Sequence, residues 1–432
     1  MTTYGRARPT RAAVVLALAI TCGLAAAGDA GGAPTSCAGL APAITAANAA
    51  PGPDVIDLVA GSVCRINAPL PVVSDGLTID GHGARLRPAA DTSMVLLDAD
   101  GQLGSSALTL TVANLTMSGG SPAIWAFAAN VVVKRSRLEN NDTGVYVIFG
   151  SAEARFSRIA HNGGGLFGDF AVVEDSELVD NGVGITANQD AQAVRSLVRA
   201  NGTGITANET ASAYGSRVDG NGTGLSSAAG RIELGGSRLT DNEVGVAGGS
   251  LGISDSVIAR NANVGATQYE TALAGSTLYD NAHGLEANGG ARISNSTFAR
   301  GEDLTVRGGS VDFTTVTGTL HSDQAIALTN SIILGCDGVF SEEGPASGAS
   351  GNVSPDAGCP GRAVTGDPRL RPLADNGGPT PTQALGLASP ARDVVAAAAC
   401  GLAVDQRGLP RPSGPACDAG AFEAQVSSPA AP

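Results

Sequence analysis

Two pairs of arginines, Arg137 with Arg158 and Arg217 with Arg238, are each separated by 21 residues. Set on neighbouring strands, such pairs would grip carboxylate or sulfate groups, because the planar guanidinium fork matches their oxygens. The ligand implied is a uronate- or sulfate-bearing glycan. The plainer and commoner role of such residues is to keep an exposed sheet soluble. Carboxylates offer a second chemistry. Asp98-Ala-Asp100-Gly and Glu174-Asp175-x-Glu177-x-x-Asp180 present oxygens of the kind Ca²⁺ takes, yet neither spacing matches a calcium loop. No metal site is therefore assigned, and no other cofactor is indicated.

Catalysis has little to work with. The four histidines are His82, His161, His283 and His321. His82 lies in a Gly-His-Gly turn, and His161 and His283 sit in or beside Asn-rich corners, so turn positions account for them. Sugar hydrolysis needs two carboxylates on one face, and uronate lysis needs a base beside a neutralising cation. No such set is evident, and no catalytic residue is assigned. Asp405, Arg407 and Asp418 read as a structural ion-pair network.

The elements that must position these residues are short strands and tight turns. Glycine makes up 60 of 432 residues, aromatics 3% and charged residues 15%. The absence of a three-residue glycine period excludes collagen, and 43% apolar content argues against wholesale disorder. Glycines inside the patterned segments disfavour long helices.

Arg6, Arg8 and Arg11 precede an apolar run from Ala12 to Ala27, the plan of a secretory signal peptide over residues 1–27. Its removal takes the formal charge from −14 to −17, since those three arginines leave and no acid does. Nucleic acid is excluded as a partner on that charge. No second apolar run is long enough to cross a membrane. Cys22 leaves with the leader, and six cysteines remain, an even number that suggests disulfides in an exported chain. Sequence alone allows fifteen connectivities. Proximity favours Cys37–Cys64, Cys336–Cys359 and Cys400–Cys417, and the lack of Cys-x-x-Cys argues against a metal.

The middle of the chain repeats. Asparagine recurs at Asn141, Asn162, Asn181, Asn201, Asn221, Asn242, Asn261 and Asn281, in steps of 19 to 21 residues. Glycine and then an apolar residue follow at fixed offsets, as in Gly144-Val145 and Gly204-Ile205. A serine column keeps step from Ser136 to Ser296, each serine two residues before an apolar position such as Leu138, Val198 or Phe298. A third apolar stretch precedes each serine, as at Phe156, Val173, Ile232-Leu234, Ile253 and Ile293. Three short strands per twenty residues describe a parallel β-helix, a solenoid whose coils stack at about 4.8 Å. Asn and Gly are expected at its corners, where φ is positive, with stacked Asn amides bonded along a ladder. The looser copies from Val55 to Leu334 bring the total to roughly 13–14 coils at that spacing. Residues 28–54, with a short helix between Leu40 and Ala50, read as the N-terminal cap and 55–335 as the solenoid. Residues 336–426 read as an irregular, disulfide-stapled cap on the solenoid end, and 427–432 as a tail.

Two segments resemble a family of exported proteins. Cys37 to Asn48, with Pro51-Gly-Pro-Asp-Val-Ile56 and Leu77-Thr-Ile-Asp-Gly81, is similar to the opening of β-helix proteins with a CSLREA-type start. Cys37 is kept and the residues after it differ. Leu373 to Thr382, Ser389 to Asp393, Asp405-Gln-Arg-Gly-Leu-Pro-Arg-Pro412 and Cys417-Asp-Ala-Gly-Ala-Phe-Glu423 resemble the choice-of-anchor Q domain. The resemblance implies a right-handed, all-β parallel β-helix that is exported to the cell surface, the medium or the periplasm. It brings no settled activity with it. The expectation is a non-catalytic rod that presents an extended surface for adhesion, envelope or glycan contact. The alternative is a polysaccharide lyase or glycoside hydrolase acting on acidic glycans. The chain lacks both the Asn-Thr-Asp with following Asp-Asp of polygalacturonases and the Asp-Pro-His-Glu of alginate epimerases.

Overall fold

Each twenty-residue repeat closes one coil of a parallel β-solenoid. The computed structural model describes residues 33–89, 93–103, 108–228, 230–267, 270–340 and 351–425. The expected leader, the first residues of the cap and the tail lie outside them. About 14 turns are stacked, and every strand pair in the stack is parallel.

Three faces alternate along the chain. Face 1 holds the strands after the Asn-x-x-Gly corner, such as Thr203–Ala207. Face 2 holds those before the serine, such as Thr210–Tyr214, and face 3 the short strands after it, such as Arg217–Asp219. The registers pair residues one repeat apart: Ile205 with Leu225, Ala211 with Ile232 and Val218 with Leu239. Alternation then turns one set of residues inward on all three faces, and these fill a single core. The columns Leu138 to Phe298 and Val145 to Leu285 are buried as the repeat implies. Phe156 differs. It occupies a corner at φ 51° and is 59% exposed, while Ala154 takes the inward position.

The corners work differently from the expectation. Left-handed φ falls on the residue before each asparagine, such as Asp180 and Ala200 at 55°, and on the residue before each serine, such as Arg195 at 46°. The asparagines themselves point inward, and those from Asn141 to Asn261 are buried. Asn201 Nδ2 donates to Asn221 Oδ1 at 3.0 Å and to the Leu178 carbonyl at 3.2 Å, and its own Oδ1 accepts from Asn181. The backbone N–H of Asn201 reaches the same Asn221 oxygen at 2.9 Å. Every polar group of the buried amide is thereby satisfied, as burial requires. Serine forms a second ladder, with Ser176 N–H bonded to Ser196 Oγ at 3.1 Å. The glycine after each asparagine is needed for close approach rather than for φ. A Cβ on Gly165 would stand 2.2 Å from the Gly184 carbonyl oxygen of the next coil.

Both ends of the described chain are tied to this stack. Helix α1, Leu40–Ala49, buries Leu40, Ile44 and Ala47 against the core. Cys37 bonds Cys64 on the first face-3 strand, and the other disulfides join Cys336 to Cys359 and Cys400 to Cys417. The face-3 ladder continues past residue 335, through Asn352–Ser354 and Arg362–Thr365. The disulfide-stapled segment after it also reaches back along the solenoid. It carries an antiparallel hairpin, Leu370–Ala374 with Thr382–Leu385, and lies along the flank of the last coils. Thr380 Oγ1 donates to the Gly275 carbonyl at 2.8 Å, Ala421 N–H to Thr315 Oγ1 at 3.1 Å and Gly420 N–H to the Asn330 carbonyl at 2.8 Å.

Candidate functional site

The four arginines singled out above project from face 3, and register sets Arg137 beside Arg158 and Arg217 beside Arg238. Three of them are engaged within the face. Arg137 pairs with Glu139 at 2.9 Å, Arg158 with Glu177 at 2.6 Å and Arg217 with Asp219 at 2.9 Å. Arg238 has no ion pair among the described residues. Glu177 and Leu197 separate the two pairs in the column. A shallow groove of about 530 Å³ runs beside the second pair, lined by Glu177, Leu197, Arg217, Arg238, Asp175 and Arg195. Arg195 bonds Asp175 through two nitrogens, which holds that carboxyl below its ordinary range. Most of the positive charge in this groove is thus spent on its own acids.

The same column then changes chemistry. After Arg238 it reads Val257, Thr277, Thr297, Thr315 and Ile332, all buried. Here the C-terminal segment covers the face. Gln406, 3% exposed, is the hinge of that contact. Its Nε2 donates to Thr277 Oγ1 at 2.8 Å and Thr380 Oγ1 at 2.9 Å, and its Oε1 accepts from Thr297 at 2.6 Å. The Asp405–Pro412 stretch is therefore structural throughout. Asp405 pairs with Arg407 at 2.7 Å, and Arg411 with Glu423 at 3.0 Å, both buried. Arg411 also lies 4.4 Å from the centre of the Phe313 ring. Asp418 takes part as an acceptor, from the Asp393 N–H at 2.8 Å and the Ala424 N–H, rather than as an ion-pair partner.

A cluster that the repeat pattern alone did not bring out lies on face 1. The chain has 15 aromatic residues (Phe 9, Tyr 5, Trp 1), and five of them, Trp125, Phe127, Tyr146, Phe149 and Phe167, gather on one flank, while Phe170 opens the next face. Register places Trp125, Tyr146 and Phe167 in one outward column. Tyr146 and Phe167 stack on one another at 4.6 Å. Trp125 and Phe127 lie parallel at 6.4 Å, and Phe149 stands edge-on to Phe127 at 5.6 Å. Phe149 is 57% exposed and Phe170 42%. Asp98 stands beside Trp125 in register, and its Oδ1 is buried without a hydrogen-bond partner. Burial and the neighbouring Asp100 push this carboxyl above its ordinary range. The spacing 125, 146, 167 was visible at the repeat period and would have disclosed the column.

The acids and histidines fall elsewhere. Among the described residues, Asp57, Asp80 and His82 form a group with ligand atoms within 4.8 Å of one another. His82 sits in its turn at φ 46° and bonds Asp57 at 2.9 Å, which raises its pKa. Neither sequence considered for Ca²⁺ forms such a group; Glu174 and Asp175 contact Arg195, and Glu177 contacts Arg158. Glu302 is a second unforeseen residue. It closes the asparagine ladder, accepting from Asn281 N–H at 3.1 Å and Nδ2 at 3.0 Å. Burial pushes its pKa up to about 7.

No family model matches the chain, and neither does any curated protein. Among solved structures it is similar to the A-module of the mannuronan C-5 epimerase AlgE6 of Azotobacter vinelandii. The two share 15% identity over 74% of this chain and 94% of that one, with a TM-score of 0.42. A likeness of this size transfers no activity. Three disulfides suggest a non-reducing environment, and no helix among the described residues is long and apolar enough to cross a membrane.

Proposed function

We propose that the protein is an exported, non-catalytic β-solenoid of the choice-of-anchor Q type that binds glycan on its aromatic flank. The observation that carries this reading is the group Trp125, Phe127 and Phe149 beside the partly exposed carboxyl of Asp98. Aromatic rings are few in this chain, and outward placement of five on one flank, with Phe149 57% exposed, leaves apolar surface in water. A sugar ring offers an apolar C–H face to such rings and hydroxyls to an adjacent carboxyl. The Asp405–Pro412 stretch supports the choice-of-anchor Q reading, because Gln406 and Arg411 fix the C-terminal segment to the solenoid while Asp405 and Arg407 pair within it.

Trp125 is the only tryptophan, so its fluorescence reports this flank directly. Titration with a panel of neutral and acidic polysaccharides is expected to give a saturable change with no new reducing or unsaturated ends. Trp125 emission that no glycan alters would refute the binding site. Release of new ends on incubation would replace it with the lyase or hydrolase reading.

A further inference from the structure

The first coils carry positive charge that no described residue pairs. Arg65 and Arg87 lie in register on adjacent face-3 strands, Val63–Ile66 and Arg85–Pro88. Their backbones are therefore about 4.8 Å apart. Both side chains are exposed, as is Arg85, which leaves the same face two residues before Arg87. None of the three has an ion pair or hydrogen-bond partner through its side chain among the described residues. Like charges directly opposite one another on neighbouring strands repel. Further along the face, Arg137, Arg158 and Arg217 meet that repulsion with Glu139, Glu177 and Asp219, whereas here no described acid does so. The chain as a whole carries a formal charge of −14, so the cluster is a local departure from an acidic background.

The groove beside it is built to match. It encloses about 810 Å³, and Arg65 and Arg87 share its wall with Ser93, Ser118, Ser121 and Asn140. Hydroxyl and amide groups can donate hydrogen bonds to an anion, and Asp142, which accepts from Ser121 at 3.4 Å, is the single acid among the described lining residues. Ser121 lies four residues before Trp125, so the groove leads round one corner of the coil onto the aromatic flank.

We infer that Arg65 and Arg87, with Arg85 beside them, bind the anionic groups of an acidic glycan. The inference rests on the glycan reading of the aromatic flank and adds the class of ligand. Two stacked guanidinium groups suit carboxylates or sulfates repeated along a chain, because each fork takes two oxygens. Uronate carboxylates and sulfate esters share that chemistry, and the probes below separate them.

The test uses the full-length protein with polygalacturonate, dextran sulfate and uncharged dextran. The variants are Arg65→Ala/Arg87→Ala, Arg65→Lys/Arg87→Lys and Trp125→Ala. All these side chains reach the surface, and an unchanged circular-dichroism melt confirms that each variant folds. The alanine pair is expected to weaken binding of at least one of the two polyanions by about tenfold or more, and to lower its logarithmic salt dependence by about two charges. The lysine pair restores the salt dependence but only part of the affinity, since it keeps the charge and loses the fork. Dextran should be indifferent to both pairs. Polyanion affinity and salt slope that survive the alanine pair would overturn the arginine site while leaving the aromatic flank standing. Loss of all glycan binding in Trp125→Ala alone, with the alanine pair unaffected, overturns the arginine site in the same way. If no glycan binds the wild type, the glycan reading falls. Inorganic sulfate then decides the anion site: a larger thermal shift in the wild type than in the alanine pair sustains it, and equal shifts overturn it.

Discussion

Glu302→Gln isolates the cost of ending the asparagine ladder with a charge. Glu302 is 3% exposed and accepts two hydrogen bonds from Asn281. Burial nonetheless outweighs those bonds, with Asp303 and Asp280 adding to it, and the pKa rises from 4.5 to about 7. A carboxyl raised in the folded state contributes stability that is fully present below its unfolded pKa. That stability is lost as pH rises through the folded value. The window here runs from about pH 4.5 to 7. At about 1.4 kcal/mol per tenfold change in proton affinity, the loss is about 3 kcal/mol. Glutamine carries no charge, and its single carbonyl oxygen can take both donors as each asparagine oxygen does in the coils before it. Coils of a solenoid open locally, so the readout should be local as well. Hydrogen-exchange mass spectrometry of the peptide containing Asn281 suits this, with rates corrected for intrinsic exchange. Wild-type protection should fall by about a hundredfold between pH 4.5 and pH 8, while the variant stays flat. A variant-to-wild-type ratio that is the same at both pH values would refute the reasoning. Lower protection in the variant at pH 8 would show that the charged hydrogen bonds outweigh burial.

Two further substitutions probe the architecture. Asn201→Ala takes away the shared acceptor of two buried Asn181 donors and the side-chain bond to the Leu178 carbonyl, and should cost about 3 kcal/mol, read as a lowered denaturation midpoint. Thr297→Arg places the side chain of the uncovered half of face 3 beneath Gln406, so the C-terminal segment should come away. Limited proteolysis within residues 367–425 should then become rapid, whereas Thr297→Ser should leave it slow.

Much of the solenoid was legible because its period is strict. The inward columns, the ladder asparagines and the serines all recur at 19 to 21 residues, and a repeat that must bury the same face each time shows itself in sequence. The corner geometry was not legible. Positive φ falls on residues as different as Asp180, Ala200 and Arg260, because a neighbouring Asn or Ser holds the turn and the residue itself has only to tolerate it. Arginine pairing was half legible. Register followed from spacing, but the acids that occupy Arg137, Arg158 and Arg217 lie in the next column or coil, where the eye does not join them. The aromatic flank and the Arg65–Arg87 pair were in step with the repeat but lay before its clearest copies. The placement of the C-terminal segment could not be read, since nothing local in Asp405–Pro412 says which face it will meet.

The switch in the outward column of face 3, from Arg238 to Val257, divides the stack into a part that receives the C-terminal segment and a part that does not. Whole coils upstream of Val257 touch only their neighbours. Their number can therefore grow or shrink by twenty-residue units while the docking seam downstream keeps its partners. Downstream, a single added coil would shift Thr277 and Thr297 out of reach of Gln406. The molecule is thus adjustable in length at one end only, and variants that gain or lose reach should carry their insertions before residue 257.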